Sequence, residues 1–232
     1  MRLITALLLL MVTWPLAAQD VEDDMPPEVE GGAFFFEVTT QSLSFGQRDL
    51  NGSMVLGNEA QVFFIPSVKP GIGFGVGFGR RFRSGLWSVS YLVSGHDVAF
   101  QGRNGTAVSR LLQINSRTYF LKTPGLKAFA QFGLNFPWMK VDDNSMDTGG
   151  NVFDATYMGV GANVGAGLQV PVSSRMFFSA SLVYRLIAYL YAQGPGRGID
   201  VTDMFDDVSG PRHRLYLRAP VVALEISLAY AI

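Results

Sequence analysis

Two histidines and no cysteine set narrow limits on the chemistry open to this chain of 232 residues. His96 lies in VSGHDVAF, two residues after Ser94 and beside Asp97. Nucleophilic hydrolysis needs a hydroxyl and a base within hydrogen-bond reach, with the base oriented by a third group. Residues two apart on a strand share a face, so Ser94 and His96 are the candidate catalytic pair. His213 lies in GPRHRLYL between Arg212 and Arg214. The simpler reading of both histidines is as loop-edge residues, and no catalytic residue is assigned. The missing cysteine excludes a disulfide framework, a thiolate nucleophile, a Cys-ligated metal and a lipidated N-terminal cysteine.

Acids gather at Asp142, Asp143 and Asp147, and again at Asp200, Asp203, Asp206 and Asp207. DDNSMD lacks the spacing and the turn glycine of a calcium loop, so these acids are read as solvated loop charge. GPGRG, residues 194–198, does not join a strand to a helix and makes no phosphate cradle. The expectation is no metal site and no cofactor. A net charge of -1, from 18 Lys+Arg and 19 Asp+Glu, gives no basic footprint for nucleic acid.

What must position these residues is a set of strands. Period-two alternation recurs along the chain. In GIGFGVGFG, residues 71–79, Ile72, Phe74, Val76 and Phe78 take one face and glycines take the other. TYMGVGANVGAGLQV (156–170) repeats the pattern, and Val222, Leu224, Ile226, Leu228, Tyr230 and Ile232 alternate to the last residue. The pattern predicts eight strands, at about 33–45, 70–83, 86–98, 110–122, 126–138, 154–170, 175–189 and 214–232. SG (84–85), TPG (123–125) and PVSSR (171–175) read as tight turns. The other connections, 46–69, 99–109, 139–153 and 190–213, are long. Strict alternation of short turns and long loops, with an even strand number, is the arrangement of outer-membrane barrels. It puts both ends of the barrel on the short-turn, periplasmic side.

Composition says which face meets which solvent. Charged residues are 16% of the chain, against about 25% in soluble proteins. Hydrophobic residues are 48%, with 26 Gly and 18 Phe. A soluble barrel turns a charged face to water. Here the polar face is Gly, Ser, Asn and Gln, which suits a crowded lumen, and the Phe/Leu/Val/Ile face suits lipid. On that outer face Phe34, Phe82, Trp87, Phe120, Phe178 and Tyr230 fall near the periplasmic strand ends, and Phe136 and Trp138 near an external end, as an interfacial aromatic girdle.

The first residues read as an export signal: Arg2, the apolar run LITALLLLMVTW, then small residues at Ala17 and Ala18. The expected organisation is a signal peptide at 1–18, cleaved after Ala18 with Ala17 and Gln19 as the alternative sites, an acidic flexible tail at 19–32 carrying DVEDDMPPEVEGG, and a barrel at 33–232.

On GIGFGVGFG, INSRTYFLK with its turn TPGLKAFAQFGLNF, MFFSASLVYRLI and the terminal LEISLAYAI, the chain resembles the small outer-membrane β-barrel family that includes the OmpA transmembrane domain and OmpX-like proteins. The resemblance covers residues 33–232. It implies an all-β fold: a closed antiparallel up-and-down transmembrane β-barrel of about eight strands, in the outer membrane of a Gram-negative bacterium. It implies as partners the outer-membrane lipids, lipopolysaccharide included, and the barrel-assembly machinery, engaged through the C-terminal strand. The family usually finishes in Phe or Trp, from which Ile232 departs. The function expected is non-enzymatic, a structural or surface-interaction role with loops exposed outside. The alternatives are a lipid A-modifying enzyme using His96, or a narrow pore or carrier for small hydrophobic solutes.

By alternation Glu37, Arg117, Lys127, Arg185 and Glu225 point into the lumen, where an unpaired charge is costly. Counting from the periplasmic ends sets Glu37, Arg117 and Glu225 at one depth. The expected arrangement is a lumenal charge cluster in which Arg117 bridges Glu37 and Glu225, with Arg185 above as a second partner.

Overall fold

A computed structural model describes residues 33–45, 53–56, 61–64, 67–100, 103–123, 125–147, 152–194, 197–199 and 217–232. The expected signal peptide and acidic tail lie outside these residues, as do His213, Asp200, Asp203, Asp206, Asp207 and the first three residues of the expected last strand. The described residues form twelve strands: β1 (Ala33–Phe45), β2 (Ser53–Leu56), β3 (Gln61–Phe64), β4 (Ser67–Val68), β5 (Gly71–Arg81), β6 (Gly85–Phe100), β7 (Arg103–Thr123), β8 (Leu126–Asp147), β9 (Val152–Pro171), β10 (Met176–Gly194), β11 (Arg197–Ile199) and β12 (Leu217–Ala231).

Eight of them close into an up-and-down barrel. Each of β5 to β10 pairs antiparallel with its sequence neighbour, β10 pairs with β12, and β1 pairs with both β5 and β12. The seam between first and last strands runs from Phe35↔Ala231 to Phe45↔Val221. Every stave therefore has two partners, and no sheet edge faces out along the barrel.

The alternation read from the sequence becomes an inside and an outside. Ile72, Phe74, Val76 and Phe78 are exposed, as are Val160, Val164, Leu168, Leu224, Ile226 and Leu228. The expected girdle residues Phe34, Phe82, Trp87, Phe120, Phe136, Phe178 and Tyr230 are exposed too, while Trp138 is half-buried, with Tyr91 at 6.1 Å between ring centroids. Phe120 falls in the register break between Tyr119 and Leu121. A bulge of this kind adds one residue and re-aims the side chains beside it.

The three short turns lie where the sequence puts them. Phe82 N donates to Gly85 O across the first. In the second, Gly125 has φ 122°, a conformation side-chain-bearing residues rarely adopt. In the third, Ser173 Oγ accepts from the backbone N–H groups of Arg175 and Met176.

The opposite end differs from expectation. The span 99–109 is not a long loop, because β6 and β7 stay paired from His96↔Ala107 to Phe100↔Arg103. Most of 139–153 is also strand, with Val141↔Ala155 and Met146↔Val152 across a register break. β10 runs on to Gly194 and pairs with β11. Within 46–69, β2 pairs with β3, β3 meets β8 at Gln61↔Asp147, and β4 pairs with β6. The reason is that ladder hydrogen bonds do not need apolar alternation. Above an apolar belt a strand can carry Asn104, Gly105 and Thr106 and still pair its backbone, whereas the hydrophobic pattern read from sequence stops at the belt. Phe136 and Trp138 therefore mark a height on β8 and not its end, since β8 continues to Asp147. Just past them, Lys140 Nζ lies 2.7 Å from Asp142 Oδ1 and 3.1 Å from Asp154 Oδ2, tying β8 to β9. The hydrogen bonds to Asp142 and then Asp154 raise the pKa of its ammonium above the ordinary lysine value.

If this outer surface meets lipid, Leu224→Arg and Val160→Arg should each destabilise the folded barrel by about 2–4 kcal/mol where the site is near mid-bilayer. Equilibrium unfolding from lipid vesicles measures this, and near-neutral values for both would count against a lipid-facing surface.

Candidate functional site

The lumen holds almost every candidate side chain. It is layered. At the short-turn end Phe35, Leu86, Phe177 and Ala229 form an apolar floor, with Phe35 and Phe177 edge to face at 5.6 Å. The expectation of a uniformly polar inner face is corrected here, since Leu92 and Phe129 also point inward and are buried. These residues hold the inward parity on their strands, and side-chain bulk inside fills space that polar groups alone would leave to water.

Above the floor lies the charged layer. Arg117 Nη1 is 3.5 Å from Glu37 Oε2, and its Nε donates to Gln131 Oε1 at 2.9 Å. The same guanidinium stands over the Phe129 ring at 5.2 Å. Ser90 Oγ donates to the other Glu37 oxygen at 3.3 Å. Arg185 pairs with Glu225 and donates to Gln41 Oε1 at 2.9 Å. Lys127 is buried over the Tyr119 ring at 5.2 Å.

The four expected charges thus all lie in the lumen, but as two pairs. Arg117 does not bridge Glu37 and Glu225. The physical reason is strand stagger. At the closing seam Glu37 stands opposite Ala229, and Glu225 stands opposite Gln41, four residues further along β1. Counting residues from strand ends ignores this shear. It lifts Glu225 away from Arg117 and toward Arg185.

Amide side chains continue the layer. Asn163 Nδ2 donates to Asn115 Oδ1 and to Asn135 Oδ1, both at 3.0 Å, and Tyr119 OH donates to Gln169 Oε1 at 2.9 Å. Glycines on the inward face make the room. A Cβ on Gly77 would lie 2.6 Å from Ser90 Oγ and 2.9 Å from Glu37 Cγ. One on Gly133 would lie 2.1 Å from Asn115 Oδ1 and 2.6 Å from Ile114 O. The glycine-rich strands are thus the counterpart of the large polar side chains on their neighbours.

Ser94 and His96 both point into the lumen, toward its long-loop end. Ser94 Oγ is 2.8 Å from His96 Nε2, and His96 Nδ1 is 3.2 Å from Lys69 O. A carbonyl can only accept, so the Lys69 contact fixes the proton on Nδ1 and leaves Nε2 to accept from Ser94. That is the tautomer a general base needs. The orienting group is a backbone carbonyl, and Asp97 is on the opposite face. Phe45 packs edge-on against the imidazole at 5.1 Å. Both residues are buried, at 4% and 5% exposure, and neither opens onto the outer apolar surface. Leu43, Phe45, Val98, Met139, Val141, Tyr157 and Tyr189 complete an apolar upper layer.

The two pairs should behave as separate units. Truncating one partner of either pair should cost about 3–5 kcal/mol, because it leaves a buried charge alone. Double-mutant cycles should give coupling of about 0.5–3 kcal/mol for Arg117 with Glu37 and for Arg185 with Glu225, and near-additivity for Arg117 with Glu225. Strong coupling in the last cycle would restore a single bridged cluster.

No protein-family model matches the chain, and no curated protein does. Solved structures do. Neisserial surface protein A (NspA) is 10% identical, with a TM-score of 0.51, over 86% of this chain and 97% of that one. Ail, the attachment invasion locus protein of Yersinia pestis, is 10% identical over 87% of this chain and 99% of its own, with a TM-score of 0.41. AlkL is 11% identical over 91% and 97%, with a TM-score of 0.48. On the closed eight-stave ladder, and on its likeness to the first of these, the fold is that of the small eight-stranded outer-membrane β-barrels.

Proposed function

We propose that this chain is a non-enzymatic barrel of the Gram-negative outer membrane, exported by a cleaved signal peptide, with a structural or surface-interaction role. The observation that carries the reading is the seal across the lumen. Glu37, Arg117, Arg185 and Glu225 are each at most 4% exposed. A water-filled bore would leave such side chains accessible. Eight strands enclose an interior that side chains can fill, and here the apolar floor, the ion pairs and the amides fill it.

The surface role belongs to the other end. β5 has 11 residues, and at ~3.3 Å per residue and ~40° tilt it spans about 28 Å, close to an outer-membrane apolar belt of ~25 Å. β8 has 22 residues. The staves from β7 to β10 therefore stand well above the belt and offer a raised sheet to the exterior. The belt itself would be bathed by outer-membrane lipids and lipopolysaccharide, and the β12 strand, ending in LAYAI, would be the handle for the assembly machinery.

A second reading rests on the Ser94–His96 hydrogen bond, which fits a nucleophile and its base. Against a lipid A substrate stands its placement, since an acyl chain in the outer leaflet lies outside the barrel and the pair lies inside. A carrier of hydrophobic solutes would use the apolar upper lumen, whose own side chains would have to part.

Purified barrel in a planar bilayer should give no stepwise conductance. On intact cells, protease should cut within 46–69 or 190–213 and leave the 123–125 and 171–175 turns untouched. Steady channels would overturn the sealed lumen, and cleavage at either turn would reverse the orientation. Ser94→Ala should leave the lipid A mass spectrum unchanged. An altered spectrum would establish the enzymatic reading instead.

A further inference from the structure

One cation interrupts the outer wall without a carboxylate of its own. On β7, Arg110 shares its outward parity with Val108, Leu112 and Ile114, and it is exposed. Across the ladder it stands opposite Val93 on β6 and Trp138 on β8. Among the described residues no acid pairs with it. On β6 the outward acid is Asp97, opposite Thr106. That is four residues along β7 from Arg110, or about 13 Å. On β8 it is Asp142, past the last β7–β8 pair Ala107↔Val141 and engaged by Lys140. The two cations of this wall therefore differ. Lys140 is held by two carboxylates that the protein supplies, and Arg110 is held by none.

The height of Arg110 is that of an interface. Phe120, exposed in the short-turn girdle, lies on the same strand, ten residues below. At ~3.3 Å per residue and ~40° tilt, ten residues rise about 25 Å, the thickness of the apolar belt. The aromatic residues agree. Tyr91 stands opposite Leu112 and Trp138 opposite Arg110, and their rings, 6.1 Å between centroids, meet across the outer face of β7 beside the guanidinium. Tyr and Trp gather where one edge of the ring is apolar and the other meets polar groups. A guanidinium at this level lifts its charge to the headgroups on a long apolar stem. Left bare against the belt it would be costly.

We propose that Arg110, flanked by Tyr91 and Trp138, binds the phosphate monoester of an outer-leaflet glycolipid of the lipid A class. The site rests on the outer-membrane reading with the short turns periplasmic, which sets this end of the wall in the outer leaflet. The planar guanidinium presents two parallel N–H donors to phosphate oxygens, a fit that an ammonium lacks. A phosphate monoester carries roughly -1.5 to -2 charge near neutral pH, against one for the diester of a phospholipid, so an unneutralised cation favours the monoester. The Tyr91 hydroxyl and the Trp138 indole N–H are further donors beside it, and the two rings offer apolar faces to the sugar and its acyl chains.

The test compares Arg110→Gln with Arg83→Gln, which makes the same change of charge at an exposed residue of the short-turn end. Each barrel is first folded into phosphatidylcholine vesicles and checked by heat-modifiable gel mobility. Failure of the unaltered chain to insert would overturn the outer-membrane reading and the site with it. Barrels folded in zwitterionic detergent are then titrated with bisphosphorylated, six-chain lipid A, and the bound fraction is read by native mass spectrometry. The unaltered barrel should bind at least about five-fold more tightly than Arg110→Gln, and Arg83→Gln should stay within about two-fold of the unaltered barrel. Dephosphorylated lipid A with the same acyl chains should bind the unaltered barrel and Arg110→Gln alike. With insertion intact, affinity of Arg110→Gln within two-fold of the unaltered barrel would overturn the site alone. So would an equal loss in Arg83→Gln, which would reduce the effect to net charge. Phosphatidylglycerol held as tightly as lipid A would also overturn it, making Arg110 a general phospholipid contact.

Discussion

The pairing of β1 with β12 is the constraint on which the rest of the structure depends. A sheet surrounded by apolar solvent cannot leave backbone N–H and C=O groups without partners. Closure satisfies them, and it also fixes how far the first strand is displaced against the last. That displacement sets the position of every inward side chain. It puts Gln41 opposite Glu225, and so gives Arg185 both a carboxylate and an amide oxygen. The ion pairs are a consequence of the stagger and could not be deduced without it.

Closure also makes a small interior that must be filled without strain. Glycines facing inward and long polar side chains are two halves of one solution. Gly77 leaves the space that Glu37 and Ser90 occupy, and Gly133 leaves the space that Asn115 and Asn163 share. A lumen built this way favours rigidity over passage. The apolar floor contributes in the same sense, since the rings of Phe35 on β1 and Phe177 on β10, with β12 between their strands, meet edge to face inside the lumen.

Much of this was legible in the sequence, and what was not has physical causes. The parity of GIGFGVGFG gave the faces of β5, and the order of tight turns gave the direction of each stave. Parity also names Glu37, Arg117, Arg185 and Glu225 as inward. It cannot say which carboxylate each arginine reaches, because pairing across a lumen depends on shear, which leaves no mark on a single strand. The same parity places Phe35 inward as surely as it places Phe34 outward, and the inner apolar floor was missed by attending to residue type on the polar face. The extensions of β7, β8 and β10 were invisible for a different reason. Strands in water are held by backbone ladders and need no hydrophobic pattern. For His96, spacing gave its neighbour Ser94, and only the fold gave the Lys69 carbonyl that selects its tautomer.

The uneven height of the wall divides the molecule into two regimes of local stability. Within the belt every amide belongs to a closed ring, and opening one pair strains all eight staves. Above it, β8 and its neighbours form an open sheet whose borders are short pieces, β2 beyond β3 at one side and β11 at the other. Such a sheet can fray from its borders while the ring beneath stays intact. Amide protons of Asn104 to Thr106 and of Ser145 to Asp147 would then exchange with solvent through small openings, and those of β1 and β5 only through global unfolding. The taller part of the wall is thus free to change shape or sequence, because the ring below does not depend on it.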